Sequence, residues 1–185
     1  MCVRCRGFYQ EMKNDEVHPC ELGIIGVGNT LAGDDGAGNM VVQRLKEKYP
    51  SRSDIFLHNL ETDPLELWDL LSIAKRFILV DAVAGKPAGR LVEVGRGRTR
   101  RAWAPSLHNM DLSAVMYQLS SLRQADEPEW NIWGVTIAIP DYLQEGLSTE
   151  VALAVDILVE KISERIESKN YTTEAPIEFE RFESI

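Results

Sequence analysis

Ile24-Ile25-Gly26-Val27-Gly28-Asn29-Thr30-Leu31-Ala32-Gly33-Asp34-Asp35-Gly36-Ala37-Gly38 joins an apolar run to a helical periodicity through a glycine-rich loop. Upstream of the loop, Glu21 to Val27 reads as a strand. Downstream, Gly36 to Tyr49 reads as a helix with Val41, Val42, Leu45 and Tyr49 facing inward. Either Asp34 or Asp35 is placed to act as the N-cap of that helix.

The same alternation recurs along the chain. Ile55 to Leu60 supplies a second strand, and Asp63 and Pro64 then form an N-cap and first position for a helix through Leu67, Leu70 and Leu71. Arg76 to Ala82, containing Phe77-Ile78-Leu79-Val80, has the continuous apolar character of a strand buried on both faces. A short strand is expected over Arg90 to Val94, followed by an irregular connection from Gly95 to Asn109; connections of that length are uncommon without a function. Asp111 to Leu122 resumes a helix, and Ile132 to Ile139 gives another strand. Ser148 caps a last helix, whose stripe of Val151, Val155, Leu158, Ile162 and Ile166 needs a sheet to cover. The fold class is therefore α/β, a three-layer sandwich with a mostly parallel central sheet flanked by helices. Residues 21–168 form one such domain, preceded by a cysteine-containing extension (1–20) and followed by an acidic, weakly patterned tail (169–185) expected to be mobile.

At 185 residues and 44% hydrophobic content, the chain has material for one substantial core. No apolar run approaches the roughly 20 residues that span a bilayer, and the N-terminus lacks a signal-peptide stretch, which places the chain in the cytoplasm. A monomer is expected. A formal charge of -9 argues against a general attraction to nucleic acid or anionic membrane. Arg96, Arg98, Arg100 and Arg101 nevertheless form a local basic cluster, either a solvated loop or a docking surface for an acidic segment. The odd count of three cysteines, Cys2, Cys5 and Cys20, in a chain placed in the cytoplasm argues against a disulfide framework. With His18 they make a four-ligand set suited to zinc or nickel; the alternative is a frayed leader with unrelated thiols.

In open α/β sheets, ligands bind outside the carboxyl ends of the strands, on the loops that lead into helices. That rule selects the loop with Asn29, Asp34 and Asp35, the end of the central strand with Asp81, and the long loop that delivers His108. A dinucleotide fingerprint would need glycine where Leu31 stands, and the two adjacent carboxylates would repel a phosphate. Asp81 follows a strongly apolar run, so its carboxylate stands at the edge of the core, where a charge must be paired, bonded or metal-bound. One imidazole and two carboxylates suit a divalent transition metal and leave coordination positions open. Each also has a local reading: Asp81 as a cap for loop amides, His108 as a hydrogen-bonding residue ahead of a helix. No Gly-x-Ser-x-Gly elbow and no His-Glu-x-x-His helix is present.

The stretch from Ile24 to Gly38 resembles the opening signature of the nickel-iron hydrogenase maturation proteases. The similarity continues through Ile78-Leu79-Val80-Asp81-Ala82, His108-Asn109-Met110 with Leu112, and Trp133-Gly134-Val135 through Pro140 to Gly146-Leu147-Ser148, about residues 22 to 166 in all. The resemblance implies an aspartyl-type endopeptidase. Such enzymes remove the C-terminal extension of the hydrogenase large-subunit precursor after nickel insertion. It puts Asp35, Asp81 and His108 at the nickel-recognition and catalytic positions and makes Asp34 the structural partner of the pair. Nickel then belongs to the precursor, which is the expected partner, and is not stored by the enzyme. After the second strand the chain departs from the Asp-Gly-Gly-like turn of many relatives, with Asn59-Leu60-Glu61-Thr62-Asp63-Pro64 in its place. The rival from another class is a non-catalytic α/β module that binds a nucleotide or a partner protein.

Overall fold

The structure is a computed structural model, and it describes residues 19–60, 66–96, 112–123, 128–138 and 146–182. Strand β1 (Leu22–Val27) leads through a short 3-10 turn (Gly33–Gly36) into helix α1 (Ala37–Lys48). Then follow β2 (Ile55–Leu60), α2 (Glu66–Leu70), β3 (Arg76–Ala84), β4 (Leu91–Arg96), α3 (Leu112–Arg123), β5 (Glu129–Ile137), α4 (Thr149–Ser168) and β6 (Glu180–Arg181). The strands form one sheet in the order β2-β1-β3-β5-β4-β6. Strands β2, β1, β3 and β5 run parallel, β4 is antiparallel to β5, and β6 is parallel to β4.

Alternation along the strands divides the core into two layers. Leu22 and Ile24 of β1 and Ile78, Val80 and Ala82 of β3 pack with Val41, Val42 and Leu45 of α1 and the α4 stripe. Ile25, Val27, Phe77, Leu79 and Val83 face the opposite way, against Leu67 and Leu70 of α2 and Leu112, Met116 and Leu119 of α3. The expected mostly parallel sheet between two helical layers is the observed architecture.

Several boundaries differ from expectation for tertiary reasons. β5 begins at Glu129 and ends at Ile137, earlier at both ends than its apolar run, because polar residues enter the strand with partners in place. Glu129 meets Arg76 of β3 at 3.3 Å, and the buried Asn131 amide donates to Glu93 at 2.9 Å. β3 runs on to Ala84 because β5 pairs with it as far as Ile137. Neither Asp34 nor Asp35 caps α1, whose N-cap is Gly36. Ser148 occupies the N-cap position of α4, but its side chain makes no cap hydrogen bond. The expected helix start at Asp63 and Pro64 lies outside the described residues, as does most of the long connection after Arg96, including the arginines at 98, 100 and 101.

Residues 169–182 pack on the domain, contrary to the expectation of a mobile tail. Trp133 of β5 donates its indole N–H to the Thr173 carbonyl at 3.1 Å, lies edge-to-face with Phe179 and is covered by the Arg165 guanidinium 4.6 Å away. The Tyr171 hydroxyl donates to Asp54 at 2.5 Å, and β6 extends the sheet beside Val92 and Glu93. The acidic composition that reads as tail is matched by cations of the domain, with Glu178 beside Lys161 and Glu180 beside Arg90. Among the described residues, no helix is long and apolar enough to cross a membrane.

Candidate active site at the carboxyl ends of β1 and β3

The first turn of α1 lies directly on β1 and β3. A Cβ on Gly38 would stand 2.1 Å from the Val80 carbonyl oxygen and 2.5 Å from that of Val27, so only glycine allows this approach. The loop between β1 and the helix is thereby drawn in over the end of β3. At its start Gly28 has φ +142, and a Cβ there would fall 2.0 Å from the Asp35 carbonyl oxygen.

Hydrogen bonds close this loop on itself. Asn29 accepts the Leu31 N–H on its side-chain oxygen at 3.0 Å and the Ala32 N–H on its carbonyl at 3.0 Å, an Asx turn over a backbone turn. The buried Asn39 amide, in the first turn of α1, donates to the Gly28 carbonyl at 2.6 Å. Asp35 is 4% exposed and accepts the Asn29 N–H on Oδ2 at 3.0 Å. Its neighbour Asp34 points elsewhere and accepts the backbone N–H of Ser148, at the start of α4, at 2.6 Å.

Asp81 is 3% exposed, one residue past the last β1–β3 pair, Gly26 with Val80. Its Oδ1 accepts the Ala82 N–H at 2.8 Å. By strand alternation it stands on the face of Leu79 and Val83, the side covered by α3. Burial pushes its carboxyl up to about 8; the Ala82 N–H opposes that rise and the charge of Asp35 adds to it. Two carboxylates from segments about fifty residues apart in sequence are thus brought within electrostatic reach of each other in a nearly dry setting. A site of this kind takes up either a proton or a cation.

The structure therefore brings together Asp35 and Asp81. His108 lies outside the described residues, in the segment that leads into α3, the helix on the Asp81 face. Among the described residues, no group of three or more His, Cys, Asp or Glu side chains is arranged to hold a metal. Of the cysteine set, Cys2, Cys5 and His18 are outside the described residues. Cys20 sits before the amino end of β1, bridged to Ala74, at the opposite end of the sheet from Asp81. The one histidine among the described residues, His58 in β2, stacks on Phe56 and lies 2.9 Å from Glu66.

Sequence reading missed Asn39 and the Asp34–Ser148 bond. An asparagine in the first turn of an amphipathic helix gives no sign that it will be buried. The partner of Asp34 is 114 residues away.

A sequence profile of the hydrogenase maturation proteases matches residues 40–165, a span that takes in Asp81 and His108 and begins just after Asp35. A protein named as a hydrogenase maturation protease in Methanocaldococcus jannaschii is 30% identical over 168 residues, 85% of this chain and 96% of that one. Among solved structures, the [NiFe] hydrogenase maturation protease HybD from Thermococcus kodakarensis is 25% identical with a TM-score of 0.62, covering 82% of this chain and 99% of the other. HycI from the same organism reaches a TM-score of 0.66 at 22% identity over 80% of this chain and 92% of its own. HybD from E. coli has a TM-score of 0.60 at 24% identity, over 80% and 93%. The last two likenesses establish the fold.

Proposed function

Because the chain belongs to the hydrogenase maturation protease family, we propose that it trims the C-terminal extension of a nickel-iron hydrogenase large-subunit precursor once nickel is in place, with Asp35, Asp81 and His108 reading the metal. That it is an endopeptidase acting on a hydrogenase precursor follows from membership; the rest is our reading. A non-catalytic nucleotide- or partner-binding module is not favoured.

The observation that carries the reading is the buried carboxylate pair. A carboxyl pushed up to about 8 by desolvation and by a second carboxylate, and so mostly neutral at about pH 7, is a vacancy for positive charge. A divalent metal arriving on the precursor supplies that charge, ionises Asp81 and displaces its proton. Nickel then acts as a docking mark owned by the substrate, and three side chains suffice to read it because the precursor fills the remaining positions. His108, four residues before α3 in the sequence, is the third of these side chains and supplies the imidazole that nickel favours.

For hydrolysis, one of the two carboxylates takes a proton from a water molecule, whose oxygen attacks the scissile carbonyl. The proton is then passed to the leaving amine. The loop hydrogen bonds of Asn29 and Asn39 hold the Asp35 segment rigid, so orientation is set before substrate arrives.

The test is incubation with nickel-loaded and nickel-free large-subunit precursor, with the released peptide read by mass spectrometry. Cleavage of the loaded form alone is expected, and Asp35→Asn, Asp81→Asn and His108→Ala should each abolish it. Equal cleavage of both forms would remove metal recognition from the account, and full activity of any one variant would remove that residue.

A further inference from the structure

We infer that Asp34 is a positioning residue for the processing reaction: by accepting the Ser148 N–H it fastens the glycine loop to the start of α4, which fixes where Asp35 stands relative to Asp81. This rests on Asp35 and Asp81 being the working pair proposed above.

Asp34 and Asp35 share one turn of 3-10 helix, Gly33–Gly36, and their side chains leave it toward different anchors. Asp35 is tied back to β1, through the Asn29 N–H and through a carbonyl packed so closely on Gly28 that no Cβ fits between them. Asp34 is tied forward to α4 by the 2.6 Å bond to Ser148. The turn is therefore held from both ends. Asp34 is partly buried, and its bond is charge-assisted: a carboxylate on a backbone N–H at the positive end of a 20-residue helix. Releasing it removes the tie to α4, while the Asn29 bond and the Gly28 packing on the β1 side stay.

The geometry at Ser148 allows this bond to be cut from the other side. Among the described residues its hydroxyl makes no cap bond and has no hydrogen-bond partner, so its contribution to this contact is the backbone N–H. Its φ of -60 is the angle that proline adopts. Ser148→Pro therefore deletes the donor at a φ that proline can hold, and Asp34→Ala deletes the acceptor.

The experiment is a double-mutant cycle on nickel-loaded large-subunit precursor, with thermal midpoints followed alongside. Each single variant should lower kcat by roughly ten- to a hundredfold while KM stays within about twofold, since displacing a reacting group by a fraction of an ångström affects the chemical step more than substrate binding. The double variant should lose no more than either single one, because both cut the same bond. Asp34→Asn keeps an acceptor oxygen and should recover part of the rate. If Asp34→Ala does not fold, Ser148→Pro and Asp34→Asn carry the same test. Independent, multiplying losses in the double variant overturn the inference, and so does full kcat in Asp34→Ala beside an inactive Asp35→Asn. Full kcat in Asp35→Asn instead overturns the underlying assignment of the pair.

Discussion

Replacing Asp81 by asparagine is expected both to abolish processing and to stabilise the metal-free protein at neutral pH. The side chain is 3% exposed, and burial together with Asp35 moves its carboxyl from an ordinary 3.8 to about 8. In the unfolded chain Asp81 ionises near the ordinary value, so the native state holds a proton that the unfolded state has released. The contribution of this group is therefore fully present below about pH 4, falls as pH rises, and levels off above about pH 8. Each pH unit is worth about 1.4 kcal/mol, so the roughly three units between 3.8 and neutrality amount to a cost on the order of 4 kcal/mol. Asparagine has the same shape, keeps an oxygen for the Ala82 N–H and does not ionise, so it avoids that cost. Even at half this figure, about 2 kcal/mol, the thermal midpoint of a domain of this size rises by roughly 4–8 °C. The assay is denaturant unfolding of both proteins from about pH 4 to about pH 8.5, with the stability difference plotted against pH. A difference near zero at the acid end that grows with pH in favour of Asp81→Asn is expected. A pH-independent difference, or a destabilised variant at neutral pH, would refute the claim that Asp81 is neutral in the free enzyme.

Docking of nickel-loaded precursor should release close to one proton per complex at about pH 7, because the metal ionises a carboxyl that is neutral in the free protein. Calorimetry in buffers of different ionisation enthalpy reads this number, and a value unchanged in Asp81→Asn would assign the proton elsewhere. Gly38→Ala should be severely destabilising, by more than about 3 kcal/mol, because its methyl would meet the Val80 and Val27 carbonyl oxygens at 2.1 and 2.5 Å. Unfolding at a wild-type denaturant midpoint would show that α1 does not lie on the sheet as described.

The amino-acid sequence by itself determined the layers of this protein, because the periods that specify them are local. The apolar runs of β1, β2 and β3 and the stripe of α4 each carry the spacing of the element they form, and the loop rule for parallel sheets pointed to Asp35, Asp81 and His108. Family resemblance then supplied a role that spacing alone left open. Only the tertiary structure decided what depends on neighbours distant in sequence. It drew Glu129 and Asn131 into β5 through Arg76 and Glu93, and it folded residues 169–182 onto Trp133 and Asp54 where composition alone read as a tail. The two adjacent aspartates, equivalent as a sequence pair, also part company only in space. Asp35 is buried within reach of Asp81, where a missing solvent shell raises a carboxyl to about 8, and Asp34 is bound to the N-cap amide of α4. Desolvation and long-range hydrogen bonds are properties of packing, and no local pattern encodes them.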